Sequence, residues 1–316
     1  MKIASFGNST FDYTVSSDKF IVEDERNSFD SFSATPGGPA CNAASVIARF
    51  GNPVDFYGRL GNDVYGQFVS NKLREESIDI KHLKYSDSIS TPFSFIIINT
   101  TNGTRTINTV RSKLDYVGSR VEDFEYDTDY DFILTDGKYA LDSIEFINNN
   151  PNAISIIDAG RVNEGVVAVC KCVDYIICSE DFANGVTKRK LNDDSENNTN
   201  IFRQMQTLFP EAKGIAITVG AKGYICEKDG EVVTLPAYIT DLPVVDTNAA
   251  GDIFHGAFTY ALANGYDYHG SLEFANVTAS LSTTKSGGRY SCPSLEEVES
   301  ALSKDKPYEK VKKQED

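Results

Sequence analysis

Short apolar runs alternate with amphipathic stretches along most of the chain, and the alternation predicts strands separated by helices. Runs of strand length lie at residues 54–58, 132–135, 154–158, 175–178 and 214–219. Between them, residues 63–76, 142–149 and 201–209 space their apolar positions as half-buried helices do. Such an order implies βαβ units, a mostly parallel sheet and right-handed crossovers that place helices on both faces. Two stretches break the rhythm. Residues 13–35 alternate without a helix signal, marked by Phe20-Ile21-Val22 and Phe29-Asp30-Ser31-Phe32. Residues 93–99 and 106–110 read as two strands joined by Thr101-Asn102-Gly103-Thr104, and Asn-Gly is a hairpin signal. Both stretches are read as a small β-sheet outside the main one. The expected division is a core of residues 1–12, 36–91 and 112–302, a β-lid of residues 13–35 and 92–111, and a charged, frayed tail of residues 303–316. Residues 192–200, rich in Asn, Asp and Ser, read as a surface loop.

Composition narrows the function classes. A chain of 316 residues with 41% hydrophobic content can bury the core of one large α/β domain and its appendage. Its formal net charge of −16 repels phosphate backbones and anionic lipid, so neither nucleic acid nor membrane is an expected partner. An anionic cosubstrate would need a local positive field from backbone N–H groups and a metal. The six cysteines form no Cys-x-x-Cys pair and read as reduced core thiols of a cytoplasmic protein. The N-terminus reads as a short strand without a signal-peptide core, and no apolar run reaches transmembrane length.

The most informative run is Val244-Val245-Asp246-Thr247-Asn248-Ala249-Ala250-Gly251-Asp252-Ile253-Phe254-His255-Gly256-Ala257-Phe258. An apolar strand is expected to end at Asp246 and a helix to begin at Gly251. Ala249, Ala250 and Gly251 leave the first helical N–H groups sterically open, and the macrodipole adds positive charge there: an anion hole. Phosphoryl transfer requires one, because negative charge spreads over the equatorial oxygens in the transition state. Asp252 in the first turn could then accept the proton of an attacking hydroxyl. The plainer reading is an acidic residue that favours the helix dipole.

Three other segments add to the first. Gly37 and Gly38 open a small-residue helix through Gly51 and allow close backbone approach, and Asn42, one turn in, offers a hydroxyl both a donor and an acceptor. Asp12 follows the first strand, near the sheet edge where ligands of open α/β folds collect. Thr218, Gly220 and Gly223 form a strand-end turn that could lie under a nucleotide. No Gly-x-x-x-x-Gly-Lys-Ser/Thr occurs, so a P-loop is excluded.

From Gly7 to about Pro293, these residues resemble, in order, the signatures of the PfkB (ribokinase-like) carbohydrate kinases. The resemblance implies a three-layer α/β sandwich, a β-lid that covers the sugar and pairs two subunits into a homodimer, and ATP with Mg2+. It implies that Asp12, Gly38 and Asn42 hold sugar hydroxyls. Ala249, Ala250 and Gly251 would form the anion hole, Asp252 would act as base, Thr218, Gly220 and Gly223 would line the nucleotide, and Asn276 would edge the adenine. It leaves room for a monovalent cation (K+) at carbonyls near the Asp246 loop and the turn Ser286-Gly287-Gly288-Arg289.

Two departures stand out. The family's Gly-Ala in the anion hole is Ala249-Ala250, an extra methyl that is tolerable if φ stays negative. Its Asn-x-x-Glu metal element aligns with Ser179-Glu180-Asp181-Phe182, with Ser in place of Asn and Phe in place of Glu, so that either Glu180, the candidate metal ligand, or Asp181 would substitute, or the metal would be organised differently. Residues 135–138, 158–161 and 177–180 resemble the branch of ketohexokinases and sulfofructose or fructosamine-type kinases; there Asp136 and Arg161 would face the cleft, Arg161 toward a polar substrate tail. The expected substrate is therefore a ketose or sugar derivative. A nucleoside, a sugar acid, or a non-catalytic sugar sensor are the competing readings. His255 reads as a packing residue, Arg105 and Arg111 as hairpin charges within reach of substrate, and Phe11, Tyr13 and Phe93 as core or sugar-stacking aromatics.

Overall fold

The computed structural model describes residues 1–19, 21–101, 104–110 and 124–305. In chain order its strands are β1 (Ile3–Phe6), β2 (Thr10–Ser17), β3 (Ser31–Gly37), β4 (Val54–Gly61), β5 (Leu83–Ser86), β6 (Phe93–Asn99) and β7 (Arg105–Val110). They continue with β8 (Phe132–Thr135), β9 (Ile154–Ala159), β10 (Tyr175–Ser179), β11 (Gly214–Thr218), β12 (Tyr224–Lys228) and β13 (Glu231–Leu235). The helices are α1 (Pro39–Arg49), α2 (Val64–Glu75), α3 (Ala140–Asn148), α4 (Glu164–Cys170) and α5 (Glu180–Thr187). After these come α6 (Ser195–Leu208), α7 (Ala250–Ala263), α8 (Tyr268–Ser282) and α9 (Leu295–Asp305).

Nine described strands form one sheet in the order β13-β12-β11-β10-β9-β8-β1-β4-β5. It is parallel except where β12 pairs antiparallel with β11 and β13. Alternate strand residues feed two cores. Ile3, Phe56, Leu134, Ile156 and Ile177 pack against α1, α2, α7, α8 and α9. Ala4, Phe6, Ile133, Ile157, Ile176 and Ile217 pack against α3, α4, α5 and α6 on the opposite face. This period-two division makes the expected three-layer sandwich, with every parallel strand ending at one edge.

A separate four-stranded sheet runs β3-β2-β6-β7. The β6–β7 hairpin forms where alternation predicts it, though Asn102 and Gly103 of its turn lie outside the described residues. So do Phe20, Arg111, residues 112–123 assigned above to the core, and residues 306–316 of the tail. Strand β2 begins at Thr10, so Asp12 rides on the small sheet itself.

Two expectations fail. The polar 192–200 cluster is loop only in part, because Asp194 accepts the Glu196 amide at 3.0 Å and starts α6 at Ser195. Asx capping turns a loop-like composition into a helix start. No strand runs into Asp246. Val244 and Val245 are 67% and 47% exposed, and the Val245 and Asp246 amides donate to the Thr283 carbonyl at the end of α8 at 2.7 and 3.1 Å. All six cysteines are free thiols, with Cys172 exposed and the others buried. No described helix is long and apolar enough to cross a membrane.

Candidate active site

The start of α7 meets the edge where the parallel strands end, and the preceding loop is pinned to bring it there. The buried Asp246 carboxylate accepts the amides of Asn248 at 2.8 Å, Gly287 at 3.2 Å and Gly288 at 3.4 Å. Ala249 caps α7 without a side-chain hydrogen bond, so no side chain occupies the helix's free amides. A Cβ added at the exposed Gly251 would meet nothing within 4 Å, which leaves the ground before the helix open. The sequence expectation for Ala249 fails on one point: its φ is +61°, in the left-handed region. That conformation costs an L-residue roughly 1–2 kcal/mol. Ala249→Gly is expected to stabilise the fold by about 1 kcal/mol and raise the thermal midpoint by about 2 °C, read by calorimetry.

Half-buried Asp252 points its Oδ2 at Asn42, which donates from Nδ2 at 2.6 Å. Loss of solvent around this carboxylate, then the negative charge of Asp158, push its pKa up to about 7 despite the opposing Asn42 and His255. A base poised near neutrality is suited to proton transfer. Buried Asn42 keeps its Oδ1 without a partner among the described residues, an acceptor open to a hydroxyl. Gly38 sets the entry of α1 at φ +96°, and a Cβ there would lie 2.5 Å from the Asn8 carbonyl oxygen. Asp12 accepts Thr10 Oγ1 at 2.6 Å, and partial burial raises its pKa. Its charge also reaches Asp252. Asp12, Gly38, Asn42 and Asp252 therefore lie together.

Thr218, Gly220, Gly223 and Asn276 form a second group. Thr218 ends β11 and donates to the Cys178 carbonyl at 3.2 Å. Gly220 and Gly223 take φ of +60° and +95°, and a Cβ on Gly223 would fall 2.0 Å from the Leu235 carbonyl oxygen. Asn276 on α8 donates to the next carbonyl, that of Pro236, at 2.9 Å. The strand-end turn and Asn276 thus grip the same segment from two sides.

Asp136 adjoins the first group. The Asp136 carboxylate accepts the amides of Asn8 at 2.8 Å, Lys138 at 2.9 Å and Ala40 at 3.3 Å, so it braces the Asn8 loop and the start of α1. Arg161 is exposed beyond the end of β9. In the altered metal element, Ser179 Oγ accepts the Phe182 amide at 3.1 Å and caps α5, while Phe182 is buried beside Phe209. Phe182 therefore belongs to the core, and Glu180 lies in the first turn of α5 beside the Ser179–Thr218 pair. A carboxylate oxygen there suits a hard divalent ion.

Three residues make contacts that the sequence did not show. Buried Asp158, near the end of β9, has its pKa pushed up to about 8 by burial and then by Asp136. His255, one turn into α7, lies 3.2 Å from Asp158 through Nδ1. Arg105, on β7, donates from Nη1 to Thr247 Oγ1 at 2.8 Å, so the small sheet touches the loop that leads into α7. The carboxylate at a strand end was a visible signal for Asp158. The pairing of β9 with α7 was not.

An α/β sandwich with a separate small sheet, a helix start with free amides and a carboxylate in its first turn fits the ribokinase-like class of sugar kinase. Comparison with known proteins makes that specific: residues 1–295 match the model described as pfkB family carbohydrate kinase, and the chain belongs to that family. Among curated relatives, the ribokinase of Bacillus subtilis is 28% identical, covering 95% of this chain and 99% of that protein. The ribokinase of Schizosaccharomyces pombe is 24% identical over 86% and 88% of the two chains. Among solved structures, Arabidopsis thaliana ribokinase complexed with ribose and ATP superposes with a TM-score of 0.79 at 20% identity, covering 95% of this chain and 98% of that one.

Proposed function

We propose that the protein transfers the γ-phosphoryl group of ATP to a sugar hydroxyl, with Asp252 as general base. The carrying observation is the 2.6 Å contact between Asn42 and Asp252 at the open start of α7. It puts a hydroxyl-binding amide, a proton acceptor and an anion site within one residue's reach of one another. Asp12 and Asn42 hold the sugar so that one hydroxyl faces Asp252. That hydroxyl attacks phosphorus, the O–P bond forms as the bond to ADP breaks, and its proton passes to Asp252. The amides of Ala250 and Gly251 take up the charge on the transferring group. Thr218, Gly220, Gly223 and Asn276 hold the nucleotide. Glu180 would hold the Mg2+ that accompanies ATP and screens its phosphates, and the Asp246 loop with the Gly287-Gly288 turn would hold K+.

The substrate reading is a ketose or a ketose derivative, supported by the segments around Asp136, Asp158 and Ser179. A homodimer through the small sheet is supported by Phe32, Ile107 and Val110, which that sheet leaves exposed. A cytoplasmic setting is supported by the free thiols.

A panel of ketoses, amino-sugar adducts, ribose, nucleosides and sugar acids, each with ATP, tests the proposal through ADP release and phosphorus NMR of the product. Phosphorylation of a ketose compound is expected. Turnover confined to ribose or nucleosides would overturn the substrate class, and sugar binding without any turnover would favour a sensor. Because Asp252 must be ionised to take a proton, kcat/KM is expected to fall as pH drops through about 7.

A further inference from the structure

Arg289, in the turn that follows α8, is a buried cation whose side chain reaches three other elements. Its Nη2 donates to Oε2 of Glu76, just past α2, at 2.7 Å, and its Nη1 donates to Cys41 Sγ in the first turn of α1 at 3.1 Å. Ser45, one turn further along α1, donates from Oγ to the same Glu76 oxygen, so Glu76 is braced from two sides. Cys41 precedes Asn42 in the chain. Arg289 and Asp12 both act on its thiol, and Arg289 acts on Asp12 itself. The guanidinium therefore sits among the residues that would hold the sugar.

As a device for stability the Arg289–Glu76 pair is incomplete. Arg289 Nε and Glu76 Oε1 are both buried without a hydrogen-bond partner among the described residues. A desolvated charge with an unmade hydrogen bond costs more than an apolar side chain of similar size. What the guanidinium does supply is positive charge beside Asp12. Burial raises the pKa of Asp12, and Thr10, Ser94 and then Arg289 oppose that shift. A charged carboxylate accepts a hydroxyl more strongly than its neutral acid does.

We propose that Arg289 is a positioning residue for sugar binding: a buried guanidinium, held by Glu76 and against Cys41, whose charge keeps the Asp12 carboxylate an acceptor for the sugar's hydroxyls. The inference rests on Asp12 holding the sugar. Arg289 acts through Asp12 and takes no part in proton or phosphoryl transfer, so its loss weakens sugar binding and spares the chemical step.

Removing Arg289 alone strands the Glu76 charge in the interior and weakens the fold, so the test changes both residues. In the double variant Arg289→Met, Glu76→Gln the melting temperature is expected within about 3 °C of the parent's. Its Kd and KM for sugar are expected to rise about tenfold, with kcat and the KM for ATP within about twofold. D-fructose and D-ribose are the probes, titrated by calorimetry below the melting transition. Arg289→Lys, which keeps the charge without the fork, is expected to hold sugar affinity within about threefold. Unchanged sugar affinity in the double variant would overturn the proposal. So would equal losses of sugar and ATP binding, the mark of a loosened fold, or a loss in Arg289→Lys as large as in the double variant.

A cycle with Asp12→Asn separates the inference from the reading it rests on. If Arg289 acts through Asp12, its replacement costs no further sugar affinity once Asp12 is Asn, whereas additive losses would overturn the proposal alone. Sugar affinity unmoved in Asp12→Asn would instead remove Asp12 from the sugar site, and the proposal would fall with that reading.

Discussion

Replacing Asp252 by Asn is expected to lower kcat by roughly 10²–10⁴-fold while leaving ATP affinity close to that of the parent. The amide keeps the shape of the carboxyl but cannot accept the sugar's proton, and the amides of the anion hole are untouched. The same change is expected to raise the thermal midpoint at pH 8. In the fold the pKa of Asp252 is pushed from 3.8 up to about 7, so its ionised form is disfavoured by folding. The fold therefore loses stability as pH rises from the ordinary carboxylate value through about 7, and an Asn variant escapes that loss. Steady-state kinetics, nucleotide titration and melting curves at pH 5 and 8 check the three parts. Near-normal turnover would remove Asp252 as the base.

The second large effect is expected from Gly37→Ala, which changes no residue that touches the transferring group. A Cβ at Gly37 would fall 1.9 Å from Asp12 Oδ2 and 2.3 Å from its Cγ. The obstructing atoms end a short side chain, so the chain folds and Asp12 gives way. A displacement of about 1 Å in a positioning group can cost 10²-fold in rate. The variant is expected to lose about 10²-fold in kcat/KM for the sugar, largely through KM, with ATP binding and melting temperature near the parent's. Sugar titration by calorimetry alongside kinetics checks this, and unchanged sugar affinity would show that Asp12 does not hold the substrate.

The layered fold and the start of α7 were legible because both are written locally. Strand runs of four to six apolar residues separated by helical spacing fix a parallel sheet, and small residues before an acidic one at a helix start are contiguous in sequence. The conformation of Ala249 was not legible, since the sign of φ follows from Asp246 pinning the loop to Gly287 and Gly288, about forty residues away. Nor was the union of Asp158 with His255, which depends on how β9 and α7 approach across the sheet edge. Asp136 was legible only as a carboxylate at a strand end: three backbone amides donate to it, and sequence carries no record of which amides a fold leaves unpaired.

The hydrogen bond from Arg105 to Thr247 joins the small sheet to the loop that leads into α7. The two elements are therefore mechanically continuous. A ligand that draws the small sheet down also steadies the loop, and thermodynamic reciprocity makes the favour mutual and equal in size. Order of addition then becomes a property of the bridge itself: each cosubstrate should tighten the other's hold by the same factor.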